Sequence, residues 1–305
     1  MKRILLITLI MLVSAGTQAQ TASPYLSNHA LPYMPVKLDV LIIGNSYSMD
    51  TCALLPDILS SMGINIVNVY VLYKGGCSMR EHYEYFKNDQ PVYELYVYNS
   101  RGVTKLEKKI AIRDAMRRYA YDVVVFQQYS LESGNYSTYE PFLARIIQGY
   151  KLVSISPRTT FAFNQTWAYA STNKNIGKAY PTQESMWRQI CESVKKMRAN
   201  SGIDVIIPCG TAIQNARAVP QLKTKKDLTR DETHLDEYMG RYIAACTLFE
   251  SIIGPCIGRS IRDDLSIIGK ASDANQVNNS NRRMLQNCAR LAVANQFEVS
   301  EFVGQ

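Results

Sequence analysis

Five short apolar runs, separated by segments of helical periodicity, constrain this chain of 305 residues more than any other feature. They occupy residues 38–44, 64–72, 123–126, 160–163 and 205–207, and all are rich in Val, Ile, Leu or Phe. Runs of this kind, short and without polar alternation, read as strands buried on both faces. Between the first two, Leu54, Leu55, Ile58, Leu59 and Met62 recur at helical spacing and Gly63 ends the pattern. Pro56 fits there only near a first turn. Ile112, Met116 and Tyr119 mark a second helix, and residues 139–153 a third. Met186, Ile190, Val194 and Met197 form the inner face of a long fourth, terminated by Asn200-Ser201-Gly202. Met239, Ile243, Cys246 and Ile253 indicate another, and Met284, Cys288 and Leu291 a last one. Strands alternating with helices imply an α/β domain with a mainly parallel five-stranded sheet in a three-layer α/β/α arrangement. It spans residues 37–300. Residues 79–107 interrupt the alternation as an insertion, in which the runs 91–98 and 103–106 flank Asn99-Ser100-Arg101-Gly102 and suggest a small β-hairpin.

Ligands on such sheets bind outside the carboxyl ends of the strands. The first run stops at Gly44, which leaves the hydroxyl of Ser46 near a helix N-terminus, either as a cap or as a nucleophile if a base reaches it. Gly75 and Gly76 follow the second run, Gln127 and Gln128 the third, Asn164 and Gln165 the fourth. Beyond the fifth come Asp231 and His234. A hydroxyl, backbone donors, side-chain amides and an imidazole beside a carboxylate therefore gather on one rim, which points to hydrolytic chemistry.

Residues 1–19 read as a secretory signal: Lys2 and Arg3, an apolar run over 4–13, then small residues with cleavage after Ala19. The run falls short of the roughly 20 apolar residues that span a bilayer. Residues 20–36, with Pro24, Pro32 and Pro35, read as an extended lead-in that carries His29 as an incidental histidine. The expected product is periplasmic or secreted, without a membrane span. Loss of the leader lowers the formal charge from +8 to +6, and no basic stripe suggests nucleic acid. Lys223, Lys225, Lys226 and Arg230 are the densest basic cluster, read as solvated or as attraction for an anionic substrate such as an acidic sugar. Seven cysteines, widely spaced, leave at least one unpaired, with Cys52 and Cys77 the pair the turns could bring together. The chain has three histidines, none in a ligand-spaced cluster with cysteine, so neither a metal nor a cofactor is expected.

Gly44-Asn45-Ser46, Gly76-Cys77-Ser78, the Gln127-Gln128 pair and Asp231-x-x-His234 resemble the ordered blocks of the SGNH (GDSL-type) hydrolase superfamily. Within it, the chain resembles an exported bacterial branch with Gly-Asn-Ser at the first block. The resemblance covers roughly residues 37–255. It implies a flavodoxin-like SGNH hydrolase fold, with Ser46 as nucleophile, His234 as base and Asp231 orienting the imidazole. The backbone N–H groups of Ser46 and Gly76 would form the oxyanion hole. Two positions depart from the pattern. Asn45 stands where the commoner block has Asp, which is not a reacting group. Gln128, with Gln127 as the alternative, stands where an Asn usually completes the oxyanion hole, and offers the same donor on a stem one methylene longer.

Asn45, Gly75, His82, Asn164, Gln165 and Trp167 are the candidate substrate contacts. His82 also reads as a structural hydrogen-bonding residue, and Tyr83, Tyr85, Tyr93, Tyr96, Tyr98 and Trp167 either pack or stack on sugar rings. The expected function is that of an exported esterase that removes an acyl group, chiefly acetyl, from carbohydrate. A glycan-binding protein on the same fold without turnover is the alternative from another class. A lipase-like esterase ranks lower, because no long apolar lid segment is present.

Overall fold

The computed structural model describes residues 36–156, 158–203 and 205–301. The expected leader, nearly all of the lead-in and His29 lie outside the described residues. In chain order the elements are β1 (Leu38–Gly44), α1 (Ser46–Cys52), α2 (Leu55–Ser61), β2 (Val67–Tyr73), α3 (Met79–Lys87), β3 (Tyr93–Asn99), β4 (Gly102–Ile110), α4 (Ile112–Arg118) and β5 (Val123–Phe126). Then follow α5 (Phe142–Val153), β6 (Thr160–Asn164), α6 (Gln183–Ser201), β7 (Val205–Ile207), α7 (Cys209–Ala218), α8 (Met239–Leu248), α9 (Gly254–Ile257) and α10 (Arg282–Ala294).

The strands form one sheet in the order β4-β3-β2-β1-β5-β6-β7. The five apolar runs pair in parallel, as expected: β1 with β2 and β5, β5 with β6, and β6 with β7. The sheet nevertheless has seven strands rather than five, because the hairpin of the insertion joins it. β3 pairs antiparallel with β2, and β4 with β3. An outermost β2 would leave a row of backbone groups unpaired, and the hairpin satisfies them. Lys105, Lys108 and Lys109 then mark the exposed edge strand β4, where charge discourages further pairing.

Every residue of β1 is buried, and so is every residue of β5. Successive strand residues face opposite sides, so helices cover both faces of the sheet. On one side α3, α4 and α5 pack on one another; α1, α2, α7, α8 and α10 form a second group. Local detail departs from the sequence reading in three places. The segment after β1 is two helices, with Pro56 in the first turn of α2. The insertion opens with α3, started by a capping box between Ser78 and Glu81. The α7 segment, Cys-Gly-Thr-Ala-Ile-Gln-Asn-Ala-Arg-Ala, carries too weak an apolar period to be recognised. Cys52 and Cys77 are buried free thiols, not a disulfide. Among the described residues no helix is long and apolar enough to cross a membrane.

Candidate active site

Gly44 closes β1 because nothing larger fits: a Cβ there would sit 2.1 Å from Ser48 Oγ and 3.4 Å from Gln127 Cδ. The next residue, Asn45, is the N-cap of α1, and its Oδ1 accepts from the Tyr47 N–H at 3.1 Å. Ser46 is therefore the first helical residue and not the cap. As such its N–H has no acceptor within the helix. Asn45 Nδ2 donates to Cys77 O at 3.1 Å, and Lys74 N–H donates to Gly44 O at 3.1 Å. These two bonds fasten the Gly75-Gly76 turn against the start of α1. Gly76 takes φ +63°, a left-handed conformation that favours glycine, and both glycines are exposed.

The loop after α7 brings the other groups to Ser46. His234 Nε2 lies 2.9 Å from Ser46 Oγ, and His234 Nδ1 lies 2.7 Å from Asp231 Oδ2. The second oxygen of Asp231 accepts from the backbone N–H of His234 at 2.7 Å and of Thr233 at 3.1 Å. Burial raises the Asp231 carboxyl, but the bonds from His234 and Thr233 outweigh it and hold the group below its ordinary value. A hydroxyl, an imidazole and a carboxylate thus form a continuous hydrogen-bonded chain, an arrangement that can activate the hydroxyl. The His234 side chain is 27% exposed and that of Asp231 50%, so solvent reaches both directly.

The loop itself is tightly held. Arg230 N–H donates to His234 O at 2.9 Å, and Glu232 adopts φ +68°. Tyr47 OH and Trp167 Nε1 both donate to Thr233 O, at 3.0 and 2.9 Å. Asn173 Nδ2 donates to Glu232 O and to Thr233 Oγ1. Asp50, buried on α1, accepts from Arg230, Arg241 and the Leu235 N–H. Burial pushes its carboxyl up, while Arg241 and Arg230 pull it down. Sequence reasoning missed Asp50 and Asn173. For Asp50 a signal existed: a carboxylate one helical turn beyond Ser46.

The side-chain amides expected in the oxyanion hole are engaged elsewhere. Gln128 is buried, with Nε2 donating to Thr138 O and Oγ1, and with Oε1 accepting from Met79 N–H and Tyr129 N–H. Gln127, also buried, donates to Asn45 Oδ1 and accepts from Ser48 Oγ at 2.7 Å. Gln128 Nε2 spends its donors on Thr138 and Gln127 Nε2 donates to Asn45, so each amide closes the gap between its strand end and a neighbouring loop. Most of the expected substrate contacts are engaged in the same way. Asn45 is consumed by capping, and Asn164 Nδ2 donates to Thr51 Oγ1. Gln165 bonds Thr211 and Gln296 O, and Trp167 is fully buried. His82 is buried against Tyr93 OH at 2.8 Å, and burial lowers its pKa to about 3. Tyr93 and Tyr98 are buried, while Tyr83, Tyr85 and Tyr96 pack partly buried on the core. Of the expected contacts, Gly75 remains exposed. Among the described residues no group of three or more His, Cys, Asp or Glu side chains could hold a metal ion.

A family model described as a domain of unknown function, DUF4886, matches residues 39–278. No curated protein matches the chain. Among solved structures, a DUF4886 family protein from Bacteroides uniformis is 30% identical with a TM-score of 0.76, over 87% of this chain and 98% of that one. An SGNH hydrolase candidate from Slackia heliotrinireducens is 20% identical with a TM-score of 0.49, over 70% of this chain and 98% of that one. An acetyl xylan esterase is 14% identical with a TM-score of 0.47, over 70% of this chain and 100% of that one.

Proposed function

We propose that this chain, which belongs to the DUF4886 family, is an exported serine esterase of SGNH type. The observation that carries this reading is the chain Ser46 Oγ–His234 Nε2 at 2.9 Å and His234 Nδ1–Asp231 Oδ2 at 2.7 Å, on a surface open to solvent. His234 Nε2 takes the Ser46 proton as Oγ attacks the ester carbonyl, and Asp231 steadies the imidazolium that forms. The tetrahedral oxyanion is met by the N–H groups of Ser46 and Gly76. Collapse of that intermediate breaks the bond to the alcohol oxygen, which leaves with the proton from His234. Water, deprotonated by His234, then attacks the acyl-Ser46 ester, and collapse of the second intermediate releases the carboxylic acid and returns the proton to Ser46.

The Tyr47 ring, stacked on Trp167, lies 5.9 Å from that of His234, centroid to centroid. Acetyl esters of carbohydrate are the substrate class we infer, consistent with an export signal over residues 1–19 and one catalytic domain over residues 37–300. N-terminal sequencing of exported protein should begin near Gln20. The engaged amides of Gln127 and Gln128 favour a second reading, a glycan-binding protein without turnover. A fluorophosphonate probe separates the two: an esterase is labelled at Ser46 and turns over aryl acetates faster than longer aryl esters, whereas a binding protein does neither.

A further inference from the structure

Asp50 stands one helical turn after Ser46 on α1, so its carboxylate and the Ser46 hydroxyl share a face of that helix. Its side chain is 2% exposed. Oδ1 accepts from Arg230 Nη1 at 3.0 Å and Arg241 Nε at 2.9 Å; Oδ2 accepts from Arg230 Nη1 at 3.1 Å and the Leu235 N–H at 3.0 Å. Arg230 is the residue before Asp231, and Leu235 is the residue after His234. The segment that carries both the orienting acid and the base is therefore held at its two ends by one carboxylate. Arg230 Nη1 also donates to Leu235 O, closing the loop on itself. Arg241 belongs to α8 and approaches from outside the loop.

We propose that Asp50 is a positioning residue that sets the distance between Ser46 Oγ and His234 Nε2, an inference that rests on their reading as nucleophile and base. The physical argument is a closed circuit of stiff parts. Ser46 and Asp50 keep a constant spacing within α1, Asp50 grips both flanks of residues 231–234, and that loop returns His234 to Ser46. Helix packing alone would let the loop slide along α1, whereas a carboxylate that satisfies two flanking donors at once allows one register. An asparagine in its place can accept at one oxygen only, and it removes the buried charge that Arg230 and Arg241 share, leaving them Glu237 as their remaining acidic partner. A displacement of about 1 Å between nucleophile and base is enough to cost on the order of 10²-fold in rate.

The experiment uses Asp50→Asn, Arg230→Met and Arg241→Met in the mature chain. It measures kcat and KM on 4-nitrophenyl acetate, the fluorophosphonate labelling rate, and melting. Asp50→Asn and Arg230→Met should each lower kcat and the labelling rate together, by about 10- to 100-fold, with KM within about threefold. Arg241→Met, which removes a partner outside the loop, should lower the melting temperature as much as Arg230→Met does but lose far less kcat. A folded Asp50→Asn protein with native kcat overturns the proposal, as does an equal kcat loss in the two arginine variants. Should Asp50→Asn fail to fold, the arginine pair alone decides. Should the native protein neither label nor turn over, the esterase reading falls, and positioning is then read from the NMR resonances of the His234 ring. Those should move in Arg230→Met and stay in Arg241→Met, and no movement in either overturns the proposal.

Discussion

The rings of Tyr47 and Trp167 lie flat on each other, centroids 4.0 Å apart and 11° from coplanar, and both donate to one acceptor, the carbonyl of Thr233. The residue beside Ser46 and a residue beyond β6 thus hold the backbone next to His234. An aromatic side chain in that place suggests a sugar platform from sequence, but here it is a wall of the scaffold.

That arrangement makes Trp167→Phe informative. A smaller ring stays and the N–H is lost, so Thr233 O keeps only the Tyr47 hydroxyl. Stability should fall by about 1–3 kcal/mol, and kcat should fall a few-fold with KM unchanged. A rise in KM with kcat intact would instead place the indole against substrate.

Ser46, His234 and Asp231 should behave as one unit with unequal members. Ser46→Ala and His234→Ala should each reduce kcat/KM by roughly 10³–10⁶, and the double variant hardly more. Asp231→Asn should cost less, because the loop is also held through Thr233, Glu232 and Leu235. The readout is kcat/KM on a short aryl ester with folding checked by circular dichroism. Native turnover by folded Ser46→Ala would refute the assigned chemistry.

Gln128→Ala tests the role of the buried amide. The substitution strands the Met79 and Tyr129 N–H groups, so chemical denaturation should show a loss of about 2–4 kcal/mol. Removing an oxyanion donor would leave stability largely intact and cut kcat by about 10²–10³. The structure leads us to expect the first pattern, with kcat within about tenfold of native.

His82 should make the fold acid-sensitive. Burial lowers its folded pKa from 6.5 to about 3, so the unfolded chain binds the extra proton between those values. Stability contributed by the neutral imidazole is complete above about pH 6.5 and is lost as pH falls toward 3, at about 1.4 kcal/mol per pH unit. His82→Gln keeps an acceptor for Tyr93 OH without titrating, and its stability measured from pH 7 to 4.5 should fall less steeply. Parallel profiles for the two proteins would remove His82 as the cause.

The layered sheet was legible in the sequence because strand burial and helix periodicity are local signals. Val40, Leu41, Ile42 and Ile43 can only suit a strand covered on both faces, and the Met186–Val194 spacing only a helix. Ser46 was legible in the same way, just past the end of β1, whereas Asp231 and His234 lie beyond α7 and reach it through a loop held by Asp50, Tyr47 and Trp167. Which polar side chains stay free on that rim is a different kind of fact. Gln127, Gln128, Asn164 and Trp167 follow strands as a binding group would, yet their partners, Asn45, Thr138, Thr51 and Thr233, come from other segments that fold over them. Asp50 looked like an ordinary helix residue until Arg230, Leu235 and Arg241 closed on it from far along the chain. Local pattern decides the secondary structure and the end of the sheet where chemistry sits. Long-range hydrogen bonding, which must satisfy every buried polar group, decides which of the residues gathered there are left to meet a substrate.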